Sequence, residues 1–324
     1  MTLTNSPVFA VCMLAAGFAA GMVWYALRLK KNSLPVRAAV LAAAAGSVLA
    51  LLFAKAGFLL HDLGANIFEG YYDEITEISA ETLSFIGGCL GIVTGVAAGA
   101  RASGIKGKKA LDIFAAPGCV FLCLARLAEG GMDTIGTGSE VEASWLKWFP
   151  LAMQNSWEEW YLCVFFLEAL WALICLIPAL GARRAEERDG DVFARTSVWL
   201  LSAQIGFEMY LQYPFIRPFL RSFVSLDQVM CAILLVILAV TGCVRNKKRW
   251  PVPAILLLLG LNAFLQFYRD NKITFLWEAE SLQWFAENAV TVSRYMFFLI
   301  SAALIPIGLK ALSSPGAAGK KAKI

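Results

Sequence analysis

Nine long apolar runs constrain this chain more than any other feature. They cover about 7–29, 36–60, 83–100, 110–128, 157–180, 195–213, 226–243, 251–268 and 289–310. A run of roughly 18 or more apolar residues is long enough to cross the hydrocarbon core as a helix, which satisfies its own backbone hydrogen bonds there. The composition agrees: 59% of the 324 residues are hydrophobic and only 16% are charged, whereas a soluble domain is about a quarter charged. The expected fold class is therefore all-α, a polytopic membrane bundle of about nine transmembrane helices. Helices account for most of the mass, which leaves no room for a soluble catalytic domain.

The basic residues alternate between the loops. Arg28, Lys30, Lys31 and Arg37 follow the first run, and Arg101, Lys106, Lys108 and Lys109 follow the third. Arg183, Arg184, Arg188 and Arg195 follow the fifth; Arg245, Lys247, Lys248 and Arg249 follow the seventh; Lys310, Lys320, Lys321 and Lys323 close the chain. Cytoplasmic loops collect Lys and Arg, so the N-terminus is expected outside and the C-terminus in the cytoplasm. The opposite loops are acidic and aromatic. "HDLGANIFEGYYDEITEISAE" (61–81) contains no Lys or Arg, and "FLWEAESLQWFAEN" (275–288) reads as an amphipathic segment lying on the outer surface. The first run lacks a basic stretch before it and is expected to be a retained span, not a cleaved signal.

The eight cysteines fall inside apolar runs and read as small buried hydrophobes, and His61 is the single histidine. No metal site and no cofactor is expected from such a set. Nucleic acid is not an expected partner. Chemistry is sought instead among the ionisable residues within apolar runs, which are costly there unless paired or hydrated. These are Lys55, Arg126, Glu168, Glu208 and Arg294, accompanied by Gln204, Gln212, Asn262 and Gln266. Lys55 and Arg294 lie close enough to run ends to snorkel or to anchor at the interface. By the expected topology, Lys55, Arg126, Glu208, Gln212, Gln266 and Arg294 all fall toward the outer side, where they could share a polar chamber.

Two stretches carry a resemblance. "LSFIGGCLG" (83–91) followed by "LDIFAAPGCVFLCLARLAEGG" (111–131) resembles the prolipoprotein diacylglyceryl transferase family of bacterial inner-membrane enzymes. The shared features are the double glycine Gly87–Gly88, Asp112 placed 24 residues later, and Arg126 a further 14 along. "FLEALWALI" (166–174), with Glu168, and "SLDQVMCAILLVI" (225–237), with Gln228, are similar to two later helices of the family. The resemblance covers roughly residues 7 to 243. It implies a seven-helix transferase-like membrane domain over 1–243, with two additional helices and a basic tail over 244–324.

The resemblance further implies transfer of a diacylglyceryl group from phosphatidylglycerol to the thiol of a lipoprotein precursor, in lipoprotein maturation at the bacterial cytoplasmic membrane. Arg126 would grip the phosphate, because a guanidinium forks onto phosphate oxygens. Glu129, one turn on, would act as base or neutralise that arginine. Gly87, Gly88, Gln228 and the outer-side pair Arg217 and Arg221 would complete a phospholipid site, with Glu168 and Glu208 as secondary polar groups. The chain departs from the family pattern at Ile86, where the family has histidine, at Glu129, where it has asparagine, and near Glu208, where it has a second arginine. Those departures support the alternative of a phospholipid-binding or scaffold protein that kept the fold without the reaction. A transporter is a third reading, without a visible internal repeat to support it.

Overall fold

A computed structural model describes residues 6–60, 82–132, 136–154, 158–181, 188–211, 224–271, 284 and 288–313. The loop 61–81, most of the segment 275–288, and Gln212, Arg217 and Arg221 lie outside the described residues. Helices dominate: α1 Pro7–Lys31, α2 Arg37–Leu59, α3 Phe85–Ala102, α4 Gly107–Glu129, α5 Val164–Ile174, α6 Leu176–Leu180, α7 Asp191–Phe207, α8 Leu226–Asn246, α9 Pro251–Asn271 and α10 Ala289–Leu312. Among the described residues, seven helices (α1, α2, α3, α4, α8, α9 and α10) are long and apolar enough to cross a membrane. The protein is an all-α, multi-pass membrane protein. Its surface agrees, with Val8, Val11, Val23 and Leu27 of α1 and Val40, Val48 and Leu52 of α2 turned outward, where lipid is the natural solvent.

The fifth apolar run differs from a single helix over 157–180. Its first part is a short strand, β2 (Trp160–Leu162), antiparallel to β1 (Ala152–Gln154), with Met153 opposite Tyr161. The helix begins only at Val164 and breaks between Ile174 and Leu176. Pro178 explains the break, because its ring has no N–H and crowds the carbonyl four residues back. The sixth run likewise ends its helix at Phe207 instead of 213.

The described residues form two compact units, divided within α7 between Thr196 and Ser197. In the first unit, the closest helix pair is α2 with α3. Gly87, Gly91, Gly95 and Gly99 recur every fourth residue on one face of α3. A Cβ on any of them would strike the α2 backbone, at Phe53, Leu49, Gly46 and Ala42 in turn. Such small-residue stripes let two helices approach within backbone contact, where packing supplies the attraction that lipid-solvated apolar surface does not. Tyr25, Leu29, Ala38, Ala42, Val96 and Phe114 form the adjoining core, with the Tyr25 and Phe114 rings edge to face at 5.4 Å.

Asp112 ties α4 to the start of α7. Its Oδ2 accepts the Gly190 N–H at 2.8 Å and its Oδ1 the Phe193 N–H at 2.9 Å. The first N–H groups of a helix have no partner within the helix, and a carboxylate is the strongest acceptor for them. In the second unit α9 and α10 pair most closely, and each also packs on α8. Asn246 and Lys248 fasten the end of α10: the Asn246 amide donates to the carbonyls of Ala311 and Leu312, and Lys248 Nζ to Lys310 O and Ser313 O.

Candidate functional site

Arg126 sits in the last turn of α4, 7% exposed. Its Nη1 lies 2.5 Å from Glu129 Oε1, within the same helix at i+3. Its Nε lies 3.2 Å from Glu168 Oε2, on α5. The ring of Phe85, first residue of α3, covers the guanidinium at 3.6 Å from carbon to centroid. Glu129 and Glu168 are as buried as the arginine. Three helices thus bring one cation, two carboxylates and one aromatic face into a single buried cluster.

The local sequence explains this convergence. Gly130 and Gly131 follow Glu129, and both are crowded: a Cβ at Gly130 would stand 2.7 Å from the Phe165 ring, and one at Gly131 2.6 Å from the Phe9 ring, so a side chain there would have to displace those rings. The Gly131 carbonyl accepts the Ser6 N–H at 2.9 Å, which pins the end of α4 to the start of α1. Gly136 passes back over Glu129 with φ +75°, a left-handed backbone suited to glycine, and its Cβ position is 2.6 Å from Glu129 Oε2. On α3, Ser84 caps the helix by accepting the Gly87 N–H at 3.1 Å, and its own N–H reaches Ala54 O at 2.9 Å. That cap fixes the first turn of α3, so Phe85 is held over Arg126.

The electrostatics follow from the count of charges. One guanidinium faces two carboxylates, so the cluster is formally an anion if all three groups are ionised. A phosphate approaching Arg126 would meet two carboxylates already on its Nη1 and Nε edges. The arrangement therefore leaves little place for a further anion on Arg126 and offers two carboxylates as the groups able to act as a base.

The residues singled out in the sequence are distributed as follows. Arg126, Glu129 and Glu168 come together. Gly87 is spent on the α2–α3 contact, while Gly88 has more room, with Ala54 Cβ 3.7 Å from its Cβ position. Asp112 is 14 residues from Arg126 along one helix, about 21 Å at helical rise, and serves as the cap on α7. Lys55 lies 4.9 Å from the centre of the Phe58 ring, as a snorkelling lysine near a helix end does. Arg217 and Arg221 lie outside the described residues.

Glu208 and Gln228 belong to a second cluster, in the second unit. Glu208 Oε1 accepts from Gln204 Nε2 at 3.0 Å, and Oε2 from the Ser225 hydroxyl at 2.9 Å. Ser225 also caps α8 by accepting the Gln228 N–H, and Gln228 Nε2 lies 3.1 Å from Met209 Sδ.

The sequence reading missed Phe85 and Ser225 as parts of polar clusters. An aromatic residue and a serine give no signal at their own positions, and only the helix caps beside them could have drawn notice. Among the described residues, no group of three or more His, Cys, Asp or Glu is placed to hold a metal ion. The chain matches no family model, no curated protein and no solved structure.

Proposed function

We propose that this chain is a diacylglyceryl-transferase-like protein of the bacterial cytoplasmic membrane, acting on phosphatidylglycerol or a similar anionic phospholipid. It crosses the membrane nine times, with α5–α6 and α7 as the two shorter spans, the N-terminus outside and the C-terminus in the cytoplasm. That topology puts Arg126, Glu129 and Glu168 at the outer end of their helices. The observation that carries the reading is the buried cluster of these three residues, where a membrane helix bundle gains nothing from charge unless the charge is used.

The family's reaction moves a diacylglyceryl group from phosphatidylglycerol to the cysteine thiol of a lipoprotein precursor. Here the cluster supplies the base. Glu129 takes the thiol proton. The thiolate attacks the glycerol carbon that carries the phosphate ester. A carbon–sulfur bond forms, the carbon–oxygen bond breaks, and glycerol-1-phosphate leaves with the electron pair, its charge balanced by the proton returning from Glu129. Glu168 positions Arg126 and does not meet the substrate. Arg217 and Arg221, which lie outside the described residues, are the sequence's candidates for holding the phosphate.

A second reading has its own observation. With Nη1 and Nε of Arg126 each on a carboxylate, and with Ile86 in place of the family's histidine, the cluster also fits a structural ion triad in a phospholipid-binding protein without turnover. Expression in a bacterium depleted of its own diacylglyceryl transferase separates the two. Restored growth with lipidated lipoproteins supports transfer. Absence of rescue, with the protein folded and inserted, refutes it and leaves the binding reading.

A further inference from the structure

In the first unit, the segment that leads from α4 to β1 turns its aromatic residues outward. Trp145, Trp148 and Phe149 are 73%, 52% and 44% exposed. Water is a poor solvent for such a patch, and a contiguous exposed apolar patch marks an interaction surface. The run has a defined shape. Ser144–Leu146 forms a single 3₁₀ turn, and the Trp148 indole N–H donates to Trp145 O at 3.0 Å. The N–H groups of Leu151 and Ala152 in turn donate to Trp148 O, which fastens the run to the start of β1.

Its surroundings indicate the partner. The Phe149 ring meets Phe166, in the first turn of α5, edge to face at 5.6 Å. Phe166 heads a row with Leu170, Leu173 and Ile177, a spacing that puts all four on one face of α5 and its continuation α6. Leu170, Leu173 and Ile177 are exposed, and α5 packs against the membrane helix α4, so lipid is the natural solvent of this row. The aromatic run therefore extends a lipid-facing row at the end where α5 begins.

The charges agree with a lipid surface. From Met132 to Cys163 the sequence has five acidic residues and a single basic one, Lys147. That lysine stands exposed between the two tryptophans, and the sequence from Ser144 to Leu151 contains no acidic residue. Tryptophan rings favour the headgroup level of a bilayer, and a lysine there lays its stem on apolar surface while its ammonium reaches the lipid phosphates. We propose that residues 144–149 insert into the bilayer surface as an interfacial foot. The Trp145, Trp148 and Phe149 rings sit at the boundary of headgroups and acyl chains, and Lys147 sits at the phosphates. The occupant is the lipid surface itself and not a bound substrate molecule, so the inference does not depend on transfer.

Spin labelling of the full chain in phosphatidylcholine nanodiscs tests it, in a Cys12→Ser background that removes the exposed native thiol. Labels are placed at Ser144→Cys in the run, at Leu170→Cys in the lipid-facing row and at Glu159→Cys among the acidic residues of the hairpin. Each label reports collisions with oxygen, which concentrates in lipid, and with a nickel chelate, which stays in water. The ratio of oxygen to nickel collisions at Ser144→Cys is expected several-fold above that at Glu159→Cys and below that at Leu170→Cys. Adding Trp145→Ser and Trp148→Ser is expected to lower it to the level of Glu159→Cys. Both rings are exposed, so melting curves should show that this variant stays folded. Nickel collisions at Ser144→Cys as frequent as at Glu159→Cys overturn the proposal, as does a ratio that the folded tryptophan variant leaves unchanged. Shelter from both reagents overturns it too: with dipolar broadening between labels the partner is a second copy, and without it a segment of the same chain.

Discussion

Glu168 Oε2 lies 3.2 Å from Arg126 Nε, which makes a carboxylate of α5 the second anion on an arginine that already holds Glu129 in its own helix. The consequence is an asymmetry between losing the cation and losing an anion. Arg126→Ala leaves two buried carboxylates facing each other and is expected to destabilise the protein by about 3–5 kcal/mol. Glu168→Gln keeps the shape and leaves the Arg126–Glu129 pair, and costs less. In the double variant Arg126→Ala with Glu168→Gln, the loss is smaller than the sum of the singles. Thermal unfolding of the four proteins in one detergent checks this; strict additivity would show that the two side chains do not interact.

Gly136 combines a positive φ with a crowded Cβ position between Glu129 and Phe165. Gly136→Ala is expected to cost about 1–3 kcal/mol and to move Glu129. A melting temperature unchanged from the parent would contradict that crowding.

Along α3, Gly91 and Gly95 sit directly against the backbone of α2. Gly91→Leu or Gly95→Leu forces the helices apart, and a cost of at least about 1–3 kcal/mol is expected from overpacking alone. Gly88→Ala, where a Cβ meets only ordinary contacts, is expected to be tolerated. The yield of monodisperse protein on size exclusion distinguishes the two positions.

Asp112 holds the first N–H groups of α7. Asp112→Ala removes both hydrogen bonds and is expected to cost about 0.5–2 kcal/mol, as loss of a helix N-cap does. Asp112→Asn retains one acceptor and should recover part of the loss. Hydrogen exchange of the Gly190 and Phe193 amides reads the contact, with faster exchange expected in the alanine variant.

The proposed nine-span topology makes a labelling prediction. In cells, Asn288→Cys should react with a membrane-impermeant thiol reagent from outside, whereas Ser33→Cys should react only after the membrane is opened. Labelling of Ser33→Cys in intact cells would reverse the orientation drawn from the basic loops.

The helices were legible because membrane spanning leaves a one-dimensional record: apolar length, and Lys and Arg at alternate ends. The exceptions have local causes. Trp160–Leu162 is apolar enough to read as helix, yet it pairs with Ala152–Gln154, and strand pairing leaves no mark in hydropathy. Pro178 did signal a break that hydropathy averaged over. At the site, Arg126 and Glu129 were visible together because helical spacing places i and i+3 on one face. Glu168 was visible as a buried charge but not as a partner, since that pairing depends on how α4 and α5 pack. Phe85 carries no individual signal. The double glycine was read as part of a lipid site, and the structure uses Gly87 in the contact with α2.

The most direct test of the central claim is product formation by the purified protein from phosphatidylglycerol labelled in its acyl chains and a peptide bearing a lipobox cysteine. Conversion of peptide to its diacylglyceryl thioether is expected, with release of glycerol-1-phosphate. A loss of about 10²-fold or more in rate is expected for Glu129→Gln, the scale of a removed general base. No thioether at any protein concentration, or an undiminished rate in folded Glu129→Gln, would contradict it.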